Sequence, residues 1–188
     1  MAARGAARGQ LIAVDGGGAG LTAAARTLTA ALRKEREGSG VSAWDSSGIF
    51  TELTAVAEIP GPSARTLTLL YAADLAFRLR WQIRPALDAG LSVVAAPYVE
   101  TAKALAIAAG LPRKWVQEVF RFAPKPDSCY HVVNRGGPRA RTAKGDYVDC
   151  FVNAMASGDH AIDASQLRKQ SVAYLTALEK QGRCRRFK

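Results

Sequence analysis

A chain of 188 residues with 48% hydrophobic content buries one substantial core and is too short to favour two independent domains. No apolar run approaches the roughly 20 residues of a membrane-spanning helix, and no hydrophobic stretch follows the basic N-terminal segment to make it a secretory signal. One soluble, cytoplasmic domain over residues 1–188 is expected, with residues 1–9 and 183–188 as flexible basic termini; the formal charge of +10 adds a field that attracts phosphates, nucleic acid or acidic partners.

Residues 10–14 form an apolar run that closes on Asp15-Gly16-Gly17-Gly18-Ala19-Gly20 and passes into an alanine-rich stretch of helical composition ending near residue 37. Strand, glycine loop and helix are predicted in that order. Gly38-Ser39-Gly40 breaks the helix, residues 41–44 predict a second strand, and Asp45-Ser46-Ser47-Gly48 supplies cap and turn residues for a short helix to about residue 57. After the Ile59-Pro60-Gly61-Pro62 loop, Ser63 is placed to cap a long helix reaching about residue 88, with Gly90 at its end. Residues 91–95 are continuously apolar and partly β-branched, the pattern of a central strand buried on both faces of a parallel sheet.

Helices follow over residues 99–109 and 112–122, separated by Gly110, with Pro112 suited to a first helical position. Residues 129–133 predict a fourth strand, 134–145 a basic loop, 146–156 a helix and 160–162 a brief final strand. The last helix, residues 167–181, places Leu167, Val172, Leu175 and Leu178 on one face. Strands alternating with helices, without an internal repeat, predict an α/β fold with a parallel sheet covered on both faces. Ligands in such sheets sit beyond the carboxyl ends of the strands, here the Asp15 to Thr22 loop, the Asp45 to Gly48 turn and Ala96-Pro97-Tyr98.

Cys129, Cys150 and Cys184 are widely spaced, odd in number and without a Cys-x-x-Cys pair, so two core thiols and one tail thiol are expected rather than a disulfide framework or zinc site. His131, in a predicted strand, and His160, in a loop, have no metal-ligand spacing and read as structural; no metal site is predicted. Positive charge gathers at Arg33, Lys34 and Arg36, along residues 135–144, and at Arg183, Arg185, Arg186 and Lys188. These are either solvated helix ends, loop and tail, or a surface for polyanions.

Several segments share one order. Leu69-Leu70-Tyr71-Ala72-Ala73-Asp74 leads to Ile83-Arg84-Pro85-Ala86-Leu87 and Gly90, then Val93-Val94-Ala95-Ala96-Pro97-Tyr98. Gly110-Leu111-Pro112 with Trp115-Val116, Pro124-Lys125-Pro126-Asp127, and Ile162-Asp163-Ala164-Ser165-Gln166 come next. Together, over residues 11–166, the series resembles the thymidylate kinases, a family of P-loop nucleoside monophosphate kinases. The resemblance implies a three-layer α/β/α P-loop architecture with a five-stranded parallel sheet, a homodimer, and ATP with Mg²⁺ wherever the site still works. It also implies a monophosphate and base pocket at Trp44, Asp45, Tyr71, Asp74, Leu75 and Tyr98, and lid residues Arg135, Arg139, Arg141 and Lys144. For Trp44, Tyr71 and Tyr98, plain core packing is the alternative.

The departures carry more chemistry than the matches. A working P-loop reads G-x-x-x-x-G-K-[ST], with backbone N–H groups cradling phosphates, the lysine on the β/γ-phosphates and the hydroxyl on Mg²⁺. Counting back from Gly20, through Ala19, Gly18, Gly17 and Gly16, puts Asp15 on the first glycine, Leu21 on the lysine and Thr22 on the hydroxyl. A one-residue deletion restores Gly16 as the first glycine but not the lysine. The resemblance also places an Asp-Arg pair at Ala96-Pro97 and an arginine at Leu75, so three cationic groups are replaced. Leucine cannot donate to phosphate oxygens, and an aspartate beside the loop repels them. An impaired kinase relative with a binding or assembly role is therefore expected. The alternatives are a phosphotransferase whose site is rebuilt with Arg26, Arg78, Arg80 or the lid arginines, and a basic module for nucleic acid or an acidic protein.

Overall fold

The computed structural model describes residues 9–17, 19–35, 38–55, 62–132, 146–157 and 162–187. Five strands, β1 (Leu11–Gly16), β2 (Ser39–Ala43), β3 (Ser92–Ala96), β4 (Ser128–Val132) and β5 (Arg185–Arg186), form one sheet in the order β2-β3-β1-β4-β5, every pair parallel. The helices are α1 (Ala19–Glu35), α2 (Ile49–Ala55), α3 (Ala64–Arg78), α4 (Arg84–Asp88), α5 (Glu100–Ala108), α6 (Arg113–Val119), α7 (Tyr147–Ser157) and α8 (Ala164–Lys180). No described helix is long and apolar enough to cross a membrane.

Alternation along the strands divides the interior into two cores. Ile12, Val14, Val94 and Val132 face α1, which covers them with Leu21, Ala24 and Ala25. Leu11, Ala13, Val93 and Ala95 face the larger core, built from α3, α5, α6 and α7 with Leu167 of α8. Three layers result. β1 is the central strand, with β3 between it and the edge strand β2, so residues 91–95 do not supply the centre as predicted.

Ser63 caps α3, its hydroxyl accepting from Thr66 N–H at 3.1 Å. The helix predicted to run unbroken to residue 88 instead widens into a π-helical turn over Leu79–Ile83, where Arg84 N–H donates to Leu79 O. Pro85 gives the reason: its ring cannot donate and crowds the carbonyl four residues back, and one wide turn relieves both. Similarly, Ser171 rather than Val172 turns inward on α8, where Val172 is 41% exposed.

The C-terminal edge departs most from expectation. The fifth strand comes from the tail, not from residues 160–162, of which Ile162 is described and lies outside any strand. Cys184 is disulfide-bonded to Cys129, so only Cys150 is a free thiol, and burial pushes it up to about 11. Phe187 N–H donates to His131 O at 2.9 Å and its ring meets Tyr130 edge-on, while Arg186 Nε reaches Glu179 at 3.0 Å. Residues 184, 186 and 187 thus contact β4 and α8.

One buried cation joins the layers. Arg78 is fully buried on α3, with Nε 3.0 Å from Asp74 Oδ2 as an ion pair off the line of a hydrogen bond. Its terminal nitrogens donate to Ser42 O at 3.4 Å, Pro97 O at 3.1 Å and Tyr71 Oη at 3.2 Å. Removing one member of such a pair strands a charge in the core, which costs about 3–5 kcal/mol, whereas exchanging both for apolar groups costs far less. Asp74→Ala is therefore expected to lower unfolding stability in urea by about that amount or more, and adding Arg78→Met to recover part of it, the bonds that Asp74 accepts from Asp45 and Ser47 staying lost. Equal or additive losses in the double variant would contradict the pairing.

Candidate functional site

The site built from the sequence lies at the carboxyl ends of β1, β2 and β3. Gly16 ends β1 at φ +135°, open to glycine, and its N–H donates to Thr101 Oγ1 at 2.8 Å. A Cβ on Gly16 would stand 2.5 Å from Val132 O, one on Gly17 2.7 Å from Val148 Cγ2, and one on Gly20 3.0 Å from Val132 Cγ1. The described glycines thus admit β4 and α7, which press against the loop. Asp146 Oδ2 is also 3.5 Å from that Gly17 Cβ position, adding negative charge where an anion would sit. Gly18 lies outside the described residues.

Helix α1 starts at Ala19, and its first turns decide the loop's chemistry. Leu21, matched to the phosphate lysine, is only 4% exposed and packs among Ile12, Val14, Val94 and Val132. Thr22, matched to the metal-binding hydroxyl, is on the exposed side.

Asp15 does not face the loop, as its matched position suggested. Its Oδ1 accepts from Tyr98 N–H at 3.1 Å, Thr101 N–H at 2.9 Å and Thr101 Oγ1 at 2.9 Å, holding the start of α5. Burial pushes its carboxyl from 3.8 up to about 6; the Thr101 N–H pulls part of the way back and the Glu100 charge adds to the rise.

The six residues of the expected monophosphate and base pocket meet, but around packed interior. Tyr71 is fully buried, its hydroxyl donating to the carbonyls of Pro97 (2.9 Å) and Tyr98. Its ring lies 4.3 Å from that of Tyr147, and Tyr147 reaches Trp44 at 5.9 Å, with Phe50 and Phe151 completing an aromatic cluster. Asp74 is consumed by Arg78, by Asp45 N–H at 3.1 Å and by Ser47 N–H at 3.0 Å and Oγ at 2.9 Å. Asp45 has φ +55° and receives Phe50 N–H at 2.8 Å and Thr51 N–H at 3.1 Å, capping α2. Leu75 is core, and Tyr98 donates its hydroxyl to Pro124 O at 2.7 Å.

Of the cations considered as replacements, Arg78 is internal and fully engaged, and Arg80 stacks over Trp81 at 5.1 Å on the exposed side. Arg26 is exposed on α1. Arg135, Arg139, Arg141 and Lys144, together with His160 and Arg36, lie outside the described residues. His131 is buried 3.6 Å from Glu179, too far for a hydrogen bond; burial lowers its pKa and the Glu179 charge partly restores it. No group of three metal-ligating side chains occurs among the described residues. The residues present do not fit ATP with Mg²⁺: the lysine position is core, one loop N–H is taken by Thr101, and the loop is crowded by Val148. Arg78 was expected only as a substitute for a lost cation, not as an internal partner of Asp74, and Thr101 was not expected at all. The i, i+4 spacing from Asp74 signals the first; nothing in the local sequence signals the second.

No family model matches the chain. It is 28% identical over 127 residues to a probable thymidylate kinase 2 of Saccharolobus solfataricus, covering 66% of this chain and 59% of the relative. It is 39% identical over 59 residues to a probable thymidylate kinase of Pyrococcus abyssi, covering 31% and 29%. The matches thus span less than two thirds of either curated relative. Among solved structures, a thymidylate kinase from Ehrlichia chaffeensis superposes with TM-score 0.68 at 12% identity, covering 96% of this chain and 93% of that one.

Because Asp15 holds its proton more tightly folded than unfolded, its burial penalty is absent below pH 3.8 and complete above about 6. Asp15→Asn keeps the acceptor for the Tyr98 and Thr101 N–H groups. It is expected to flatten the pH dependence of stability between those values and to raise stability near neutrality by up to roughly 3 kcal/mol. Denaturant titrations of both proteins at acid and neutral pH check this; an unchanged pH slope would refute it.

Proposed function

We propose that this chain, which has the thymidylate kinase fold and is related in sequence to thymidylate kinases, is a transfer-incompetent member of that group serving assembly rather than catalysis. The carrying observation is the burial of Leu21 in the core beneath α1. Phosphoryl transfer depends almost wholly on positioned positive charge, and here the helix start that should present a lysine presents a packed leucine. The closed aromatic cluster around Tyr71 and Tyr147 supports the same reading on the acceptor side.

Purified protein supplied with ATP, dTMP and Mg²⁺ is expected to give no transfer above the protein-free rate; clear turnover would overturn the proposal. Leu21→Lys is expected to restore nothing and to cost roughly 3 kcal/mol or more, because the new ammonium starts from a buried position. A variant that both folded with undiminished stability and turned over substrate would be decisive against it.

For the partner, we favour a second copy of the chain. Leu69, Phe77 and Trp81 are 48%, 39% and 62% exposed, and with Ala73 they form a stripe at four-residue spacing along α3 and its π turn. Two such stripes crossing antiparallel at Ala73 set Leu69 against Phe77 in both copies, an isologous arrangement. A cytoplasmic setting goes with this reading. Sedimentation equilibrium is expected to give a dimer at micromolar concentration and a folded monomer for Phe77→Glu; a monomeric wild type would refute it.

A further inference from the structure

Away from the glycine loop, on the opposite side of β1 from α1, the described residues enclose a slot of about 600 Å³. That volume falls within the range of small-molecule sites. Asp15 and Ala13 lie on its floor, Tyr98, Glu100 and Lys103 on the α5 side, and residues 123–127 with Arg183 and the Cys129–Cys184 disulfide complete it. Phe120, Val99 and Leu178 give it apolar wall.

The buried and the exposed parts of the lining differ in what they leave unmatched. At the floor, Asp15 Oδ1 has three donors, whereas Oδ2 is equally buried and has no hydrogen-bond partner. At the rim the acids are already engaged: Glu100 by Lys103 at 3.2 Å and by Tyr174 Oη at 3.0 Å, and Asp127 by Leu11 N–H at 2.8 Å. Lys125 and Arg183 are exposed there and take part in no ion pair among the described residues. One slot is therefore lined by a buried acceptor that has no donor, by two cations without an ion-pair partner among the described residues, and by apolar wall.

These demands select one ligand chemistry. A simple amine satisfies Asp15 but leaves Lys125 and Arg183 opposing its charge. A simple carboxylate satisfies the rim but leaves Asp15 Oδ2 without a donor. We propose that the slot binds a small ω-amino carboxylate, its ammonium donating to Asp15 Oδ2 and its carboxylate resting between Lys125 and Arg183. The inference does not rest on the catalytic status of the chain, since none of Gly16, Gly17, Gly20 and Leu21 lines the slot.

The test is a titration of the full chain with γ-aminobutyrate, δ-aminovalerate and ε-aminocaproate, followed by amide NMR. Caproate and hexylamine serve as single-charge controls. At least one amino acid is expected to bind saturably and to shift the Tyr98 and Thr101 amides, with both controls weaker by about tenfold or more, the scale of one lost charge-assisted contact. Arg183→Gln, at an exposed position that cannot endanger the fold, is expected to weaken the amino acid about tenfold while leaving hexylamine unchanged or tighter. Asp15→Asn is expected to weaken the amino acid and leave caproate unaffected. The proposal fails if none of the three binds, if caproate or hexylamine binds as tightly, or if Arg183→Gln changes nothing. The control ligands and the Arg183 variant decide the matter independently of Asp15→Asn.

Discussion

A guanidinium with no access to water has to find its partners inside the protein, and the arrangement around Arg78 follows from that requirement. Asp74, one turn earlier on α3, supplies the opposite charge, and Ser42 O, Pro97 O and Tyr71 Oη supply acceptors from β2, the segment after β3 and α3 itself. A pair of this kind adds little net stability over an apolar replacement; its value here is geometric. It fixes where β2 and β3 end relative to α3, and through Asp74 it also fixes the Asp45 to Ser47 turn. Two of the residues that the family resemblance assigns to a nucleotide pocket, Tyr71 and Asp74, are held by this cation.

A second constraint of the same kind acts at the end of β1. Thr101 takes the Gly16 N–H and donates to Asp15, so the strand end and the start of α5 are locked to each other. Close approach of Val132 and Val148 then accounts for the need for glycine at Gly16 and Gly17 without any ligand. Leu21, the next residue after Gly20, is turned into the core beneath α1.

Much of the architecture was legible because periodicity and punctuation are local. The β1 run, the Ser63 cap and the Gly90 and Gly110 stops each announce themselves within a few residues, and the ordered segments from Leu69 to Gln166 pointed to the fold. What stayed hidden was non-local. β5 contains two arginines and no apolar alternation; it is held by Cys184 and Phe187, whose partners lie more than 50 residues away in β4, and by Arg186 on Glu179 of α8. The disulfide joins cysteines 55 residues apart, and spacing alone gave no hint of it. The replaced lysine was readable from the sequence as a missing cation. That Leu21 is core, and that Asp15 turns to Thr101, required knowing which way each strand residue faces the sheet.

Everything about the glycine loop reduces to whether its backbone N–H groups can still receive a triphosphate. A titration of isotope-labelled protein with ATP and Mg²⁺ to millimolar concentration, read at the amides of Gly16, Gly17, Gly20 and Leu21, measures that directly. Unmoved resonances at these positions are the expected result. Saturable shifts centred on them, with Val148 and Tyr147 displaced, would mean that the loop opens for phosphate and that its closed packing is not its working state.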